Sequence, residues 1–181
     1  MRTLLRTAMV AAGIAAIYFI GTGANALRPS VGDQGGAPEF AGINQWLNSP
    51  PLSMDALRGK VVLVDFWTYS CINCINTLPY VKQWHEKYKD QGLVVVGVHT
   101  PEYPFEKSTD NVQAALKRFD IRYPVAQDNA YATWSAFRNQ YWPAKYLIDA
   151  NGRIVYQHFG EGGYAETEAA IRKLLADRSG A

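Results

Sequence analysis

The chain has 181 residues, of which 48% are hydrophobic and 19% are charged, enough apolar side chain for one domain with a substantial core. The formal net charge is +2, and both basic residues of the segment 1–26 are arginines; without that segment, 16 basic and 16 acidic residues cancel. A neutral domain with no run of basic residues excludes nucleic acid as an expected partner, because phosphate recognition needs clustered Lys and Arg.

The N-terminus is typical of an export signal. Arg2 and Arg6 precede an uncharged, mostly apolar stretch at 8–20, and an A-x-A site for signal peptidase ends at Ala26. We therefore predict a signal peptide at 1–26. The alternative is an uncleaved N-terminal anchor, although the apolar stretch is short for a membrane span. Either form predicts an exported domain, periplasmic or otherwise extracytoplasmic, that is soluble or anchored to the membrane by its N-terminus.

The remaining chain is predicted to be a linker followed by one α/β domain. Residues 27–38 are rich in Gly and Pro, which predicts a linker, and the domain is predicted over 39–178. Its predicted elements, in chain order, are a strand at 60–66, a helix at 72–89, a strand at 93–98, helices at 110–119 and 131–137, strands at 145–149 and 153–158, and a helix at 166–176. Asn151-Gly152 predicts a type I′ turn between the last two strands. This order predicts a central mixed sheet flanked by helices.

The two cysteines, Cys71 and Cys74, are three residues apart and follow the first predicted strand. Residues i and i+3 lie on one helix face about 5–6 Å apart, so a first helical turn can close and reopen a disulfide between them. Unpaired N–H groups and the helix dipole favour a thiolate at a helix N-terminus. We therefore expect Cys71 to attack a substrate disulfide and Cys74 to resolve the mixed disulfide.

Two other kinds of site fit the same spacing. A purely structural disulfide would close a very short loop and would therefore add little stability. Half of a zinc site would need a second pair of ligands, and the sequence has no other cysteine. Neither a structural disulfide nor a zinc site explains why the pair lies at the start of a predicted helix.

The residues around the cysteines resemble a known family. The run VDFW at 64–67, followed by CINC at 71–74, resembles the active-site strand and helix of thioredoxin; the segment 67–74 resembles more narrowly the thioredoxin-like domain of DipZ proteins. The segments GVHTPE, YWPAKYLIDANG and FGEGGY extend this resemblance over about 39–176. The wider group is the exported, TlpA-like thiol–disulfide oxidoreductases. The resemblance implies a thioredoxin-like three-layer α/β fold with a mixed central sheet, an N-terminal extension and an insertion after the second core strand.

The resemblance also implies roles for individual residues. Asp65 matches the buried acid behind the cysteines, where a desolvated carboxyl with a raised pKa can exchange a proton with Cys74. Pro143 matches the cis-proline that faces the cysteines, which leaves the backbone of Trp142 open to a bound substrate strand. The supporting matches are the helix-kinking proline Pro79, the aromatic residue Trp67 beside the site, and the acid Glu102.

The sequence also departs from thioredoxin. Ile72 and Asn73 stand between the cysteines in place of Gly-Pro, so the reduction potential does not carry over. DipZ proteins carry a membrane electron-transfer domain in the same chain. We therefore expect a separate membrane electron donor of the CcdA or DsbD type, protein thiols or disulfides as substrates, and no cofactor or metal other than the redox-active disulfide Cys71–Cys74.

Three functions follow from these observations. The leading hypothesis is an enzyme, a thiol–disulfide oxidoreductase that reduces disulfides of exported proteins. The second is a thiol peroxidase, since Thr68 and Cys71 form the T-x-x-C pattern of peroxiredoxins, although Val64 stands where those enzymes have proline. The third is a Cu(I)-binding thiol protein, in which His99 is the candidate additional ligand.

Overall fold

A computed structural model describes residues 35–179, so the predicted signal segment 1–26 lies outside the described residues. The strands of the described part are β1 (Gln45–Leu47), β2 (Val61–Trp67), β3 (Leu93–His99), β4 (Val125–Gln127), β5 (Ala144–Ile148) and β6 (Ile154–Phe159). Its α-helices are α1 (Ile72–Tyr88), α2 (Thr109–Arg118), α3 (Ala132–Ala136) and α4 (Tyr164–Ser179). Short 3-10 helices occupy Lys89–Gln91 and Pro104–Lys107. Each predicted helix and strand is present, with bounds that differ by up to three residues.

The strands form one mixed sheet in the order β1-β4-β3-β2-β5-β6. β2 pairs in parallel with β3, which pairs in parallel with β4, whereas β5 pairs antiparallel with both β2 and β6. The predicted thioredoxin-like fold with a mixed central sheet is therefore confirmed. α2 and β4 follow the second core strand, β3, where the resemblance implied an insertion.

β2 is buried along its whole length because both faces of the sheet are covered. Leu63 and Trp67 face a core cluster that includes residues of α1 and α4, whereas Val64 and Phe66 face a second cluster with residues near α3. The continuous apolar run of this strand follows directly from this two-sided burial. Asp65 lies between these positions and shares the face of Leu63 and Trp67 by the two-residue period of a strand.

Two short strands, β1 and β4, were not predicted. Each has three residues, too few for an alternating pattern to stand out from the surrounding loops. They pair with each other in antiparallel fashion and extend the sheet beyond β3. Their formation depends on the edge that β3 presents, a tertiary contact that local sequence does not encode.

The predicted type I′ turn at Asn151-Gly152 is wrong. Gly152 has a positive φ of 73°, but Asn151 is not among the residues with positive φ, which a type I′ turn requires at both central positions. The Gly152 N–H donates to Asp149 O, and the Asp149 carboxylate accepts from the N–H groups of Asn151 and Arg153. The turn is therefore a type I turn followed by a left-handed glycine, held by the Asp149 side chain.

The described chain begins beside this hairpin. The Ala37 N–H donates to Gly152 O at 2.8 Å, and the Ile154 N–H donates to Gly35 O at 2.9 Å. The C-terminal end of the predicted linker is thus hydrogen-bonded to the domain. Within residues 35–179, no helix has the length and apolar character needed to cross a membrane.

Candidate active site

The two thiols lie at the junction of β2 and α1. Cys71 is the N-cap residue of α1, and its sulfur accepts a hydrogen bond from the Cys74 N–H at 3.2 Å. Cys74 lies one turn into the helix and is 1% exposed, whereas Cys71 is partly exposed. The two sulfur atoms are 2.6 Å apart and both cysteines are free. The chain therefore presents one accessible thiol with a buried partner within direct reach.

The environments of the two thiols push their pKa values apart. The hydrogen bond from Cys74 is the main influence that lowers the pKa of Cys71 to about 7, and backbone N–H groups at the helix start lower it further. Burial is the main influence that raises the pKa of Cys74 far above its usual range, and its hydrogen bond to Cys71 adds to that effect. A large part of Cys71 is therefore thiolate at neutral pH, while Cys74 keeps its proton until a base accepts it.

Asp65 is buried in β2 on the face that packs against α1. Burial raises the pKa of its carboxyl group from 3.8 to about 7, although the positive charge of Lys145 opposes this shift. Its Oδ1 atom is buried and has no hydrogen-bond partner among the described residues. The charge of Asp65 contributes to the raised pKa of Cys74, which places the two groups in one electrostatic environment.

Pro143 follows a cis peptide bond from Trp142, the isomer that the resemblance implied. The Trp142 indole N–H donates to Thr100 O at 3.0 Å, and its ring centroid lies 4.1 Å from that of Trp134. These contacts fix the start of β5 beside the ends of β2 and β3. Trp67 is buried and its ring meets the His99 ring edge-to-face, so it is a core residue at the end of β2.

Pro79 lies within α1 on its exposed side. It has no N–H group to donate to the carbonyl four residues earlier, which is the usual cause of a helix kink. Pro79 lies five residues after Cys74, so the first turn of α1, which contains Cys74, is free of the proline ring.

The acid that the loop after β3 buries is Glu106 rather than Glu102. Glu102 is exposed, and its negative charge raises the pKa of Cys71. Glu106 is fully buried, and its carboxylate accepts hydrogen bonds from the Ser70 hydroxyl and from the N–H groups of Glu102 and Tyr103. Sequence reasoning missed Glu106. The available signal was the Pro-x-Glu run at 104–106, which is typical of the first turn of a capped helix.

Glu106 also takes part in a buried polar network with Thr68 and His99. The Thr68 hydroxyl lies 3.2 Å from His99 Nε2 and hydrogen-bonds to the Glu106 carboxylate. Burial lowers the pKa of His99 to about 4, so its imidazole is neutral at pH 7. The hydroxyl that a T-x-x-C peroxidase would use is thus already engaged. Within residues 35–179, no three His, Cys, Asp or Glu side chains converge as metal ligands.

Apolar side chains lie exposed near the accessible thiol. Ile72, the residue directly after Cys71, is 65% exposed. Tyr69 lies two residues before Cys71, and its ring contacts that of Phe105, which stacks on Tyr103. Phe105 and Tyr103 are both about half exposed. The surface next to Cys71 is therefore apolar and aromatic, which suits contact with another polypeptide.

Comparison with known proteins decides the family. The Redoxin family model matches residues 31–175, most of the chain. The chain belongs to the redoxin family. The thiol-disulfide oxidoreductase YkuV of Bacillus subtilis (strain 168), a relative of similar size, is 31% identical over 140 residues, which are 77% of this chain and 94% of YkuV. The chain therefore belongs to the thioredoxin-like redoxin family that its sequence motifs predicted.

Other similarities agree with the family and with the fold. The protein DipZ of Mycobacterium tuberculosis (strain CDC 1551 / Oshkosh) is 55% identical over 146 residues, which are 79% of this chain and 21% of DipZ. The chain thus spans about a fifth of the length of that relative. The solution structure of a thioredoxin-like protein in the oxidized form matches with a TM-score of 0.72 and 30% identity, over 81% of this chain and 97% of that chain.

Proposed function

We propose that this redoxin-family chain is exported and reduces disulfide bonds of other exported proteins through the pair Cys71 and Cys74. The observation that carries the proposal is the asymmetry of the two thiols. Cys71, partly exposed and with a pKa of about 7, attacks the substrate disulfide. Cys74, buried and with a raised pKa, reacts only after the mixed disulfide has formed. A structural disulfide would need neither the accessible helix N-cap nor this difference in acidity.

The reaction proceeds in two exchanges. The Cys71 thiolate attacks one sulfur of a substrate disulfide, and the other substrate sulfur leaves with the electron pair and takes a proton from solvent. Asp65 then accepts the proton of Cys74, whose thiolate attacks Cys71 Sγ. The bond between Cys71 and the substrate breaks, and the second substrate sulfur leaves as a thiolate that takes a proton from solvent, while Asp65 returns the Cys74 proton to solvent. Two electrons pass to the substrate, and the chain ends with a Cys71–Cys74 disulfide.

The surroundings of Cys71 support a protein substrate. The exposed apolar surface beside the thiol suits a polypeptide better than a small polar thiol, because contact with a polypeptide removes apolar area of both proteins from water. Pro143 and the backbone of Trp142 form the opposite rim in this proposal, where an extended substrate segment lies against the start of β5. Trp67 and Pro79 shape the strand end and the helix that carry the cysteines.

The proposal also includes export of the chain and a membrane protein as its electron donor. The arginine-flanked apolar segment and the A-x-A sequence support a signal peptide at 1–26, with an N-terminal anchor as the alternative form. An extracytoplasmic reductase needs electrons from across the membrane, since its own disulfide must be reduced after every cycle. A membrane dithiol donor of the CcdA or DsbD type fits this need. The full chain expressed in a bacterial host should be recovered outside the cytoplasm, with an N-terminus at Leu27 if the signal is cleaved.

The activity is tested by reduction of insulin with dithiothreitol as the electron source. The wild-type protein should accelerate reduction, and Cys71→Ser should abolish the acceleration. Cys74→Ser should accumulate a mixed disulfide on Cys71, which mass spectrometry detects. The matched control is Lys60→Met, an exposed position directly before β2 that should leave the rate unchanged. Full activity of the Cys71→Ser variant, or rapid turnover of hydrogen peroxide without disulfide exchange, would contradict the proposal.

A further inference from the structure

A lysine is buried directly beside Asp65, and the mechanism above does not use it. Lys145 is the second residue of β5 and is fully buried, although its neighbours in the strand are apolar or aromatic. Its Cα lies opposite that of Asp65 in the antiparallel register of β2 and β5. Side chains of directly opposed residues project from the same sheet face with Cβ atoms about 4.5–5.5 Å apart. The acid and the lysine therefore enter the core together, on the face that α1 covers.

The surroundings of Lys145 contain little else to balance its charge. Its Nζ donates to Gly160 O at a long 3.3 Å and lies 6.0 Å from the centre of the Tyr164 ring in α4. Burial lowers the pKa of Lys145, and the charges that oppose this shift are those of Asp65, Cys74 and Glu161. A buried ammonium group is costly unless an anion compensates it, and Asp65 is the carboxylate on the same sheet face.

Three titratable side chains on other elements face Asp65 or Lys145. Cys74 faces Asp65 from α1, and Tyr123 faces it from the segment before β4, with its own pKa raised by burial and by the charge of Asp65. His158 faces Lys145 from β6, and burial and the lysine charge both lower the pKa of that imidazole. Cys74, Tyr123 and His158 supply no cation near Asp65, since the imidazole of His158 is neutral at pH 7. The positive charge beside Asp65 is therefore that of Lys145.

We propose that Lys145 is a positioning residue of the redox centre: its buried ammonium group is the counter-charge that lets Asp65 stand as a carboxylate behind Cys74 at neutral pH. The inference rests on the proposed role of Asp65 as the acceptor of the Cys74 proton. Lys145 neither gains nor loses a proton in the exchange. Without the lysine charge, burial alone would act on Asp65, and the carboxyl group would remain protonated to a higher pH.

The test separates the two exchanges in one experiment. Reaction of the reduced protein with 5,5′-dithiobis(2-nitrobenzoate) releases one coloured thiolate when Cys71 attacks and a second when Cys74 displaces the mixed disulfide. Stopped-flow absorbance between pH 5 and pH 9 gives the pH midpoint of each phase. For Lys145→Met, the midpoint of the second phase should rise by about one pH unit or more, and its rate at pH 6 should fall about tenfold. The first phase should keep its rate.

Matched variants distinguish a charge effect from a packing effect. Lys145→Gln should shift the second phase in the same direction, and Lys60→Met, an exposed lysine-to-methionine change, should not. In an Asp65→Asn background, Lys145→Met should cause no further shift of the midpoint, because the group it acts on is absent. A shift that persists in that background would overturn the inference, because Lys145 would then act on Cys74 directly, through its charge or through packing, and not through Asp65.

The failure of this inference can be told apart from the failure of the proposed function. If Asp65→Asn leaves the midpoint of the second phase unchanged, Asp65 is not the proton acceptor and this inference fails, whereas disulfide reduction through Cys71 and Cys74 is refuted only by the insulin assay. If Asp65→Asn moves the midpoint but Lys145→Met and Lys145→Gln do not, the role of Asp65 stands and that of Lys145 is refuted.

Discussion

Replacement of Asp65 with asparagine should change the way in which stability depends on pH. Burial raises the pKa of this carboxyl group from 3.8 to about 7 in the folded protein. Between these values the folded state holds a proton that the unfolded state has lost, so stability falls as the pH rises through this interval. The difference corresponds to about 4 kcal/mol at 1.36 kcal/mol for each pKa unit. The amide resembles the protonated acid but cannot ionise, so the variant should escape this loss.

The predicted gain is therefore about 4 kcal/mol at pH 8 and close to zero at pH 4. Urea unfolding at both pH values, followed by circular dichroism, measures the free energy of unfolding directly. The comparison belongs in a Cys71→Ser/Cys74→Ser background, in which no thiol titrates. The double change Asp65→Asn/Lys145→Met is the matched control, because it leaves neither member of the buried pair and tests whether an unpaired Lys145 offsets part of the gain.

The reasoning would be refuted by an equal effect of Asp65→Asn at the two pH values. Such a result would mean that the carboxyl group has the same pKa in the folded and the unfolded protein. A loss of stability at pH 8 in both the single and the double variant would likewise contradict the account, since it would show that the ionised carboxylate stabilises the fold.

Three further predictions concern the thiols, the loop after β3 and the surface. Iodoacetamide should alkylate Cys71 with a pH midpoint near 7 and should reach Cys74 only after unfolding, as peptide mass spectrometry will show; equal reactivity would contradict the assigned order of attack. Burial alone would raise the pKa of Glu106, but hydrogen bonds, the first from Ser70, hold it below 4.5. Glu106→Gln should therefore cost about 1–3 kcal/mol at pH 7, and the deficit in urea unfolding should shrink as the pH falls below 4.5; a constant deficit would disprove the charge effect. Lys173→Ala, which removes an exposed ion pair with Asp177, should change the free energy of unfolding by less than about 1 kcal/mol.

The parts of the fold that the sequence predicted are those with a strong local signal. The run KVVLVDF has no polar face, so it indicates a strand covered on both sides, and the spacing of Val81, Trp84 and Tyr88 indicates one face of α1. β1 and β4 have three residues each and exist through their pairing with each other and with β3. The hairpin turn was misjudged because the Asp149 carboxylate, which favours a type I turn with a left-handed Gly152, lies outside the two-residue motif.

The residues of the candidate site also differ in how strongly the local sequence indicates them. The spacing of Cys71 and Cys74 and their position after a strand predict a redox pair, and Asp65 is conspicuous as an acid inside an apolar strand. Lys145 is likewise a charged residue inside an apolar strand, but its partner cannot be read from local sequence, since it depends on the register that places β5 opposite β2. Glu106 was not predicted, because its burial depends on the N–H groups that its carboxylate receives at the start of a 3-10 helix.

The reduction potential of the Cys71–Cys74 pair tests the central claim most directly. Equilibration of the protein with graded dithiothreitol buffers, with the thiols then trapped and counted by mass, gives the value. A reductase fed by a membrane donor predicts a potential near or below that of thioredoxin, about −270 mV. A potential near that of DsbA, about −120 mV, would show that the protein oxidises its partners and would contradict the proposed direction of electron flow.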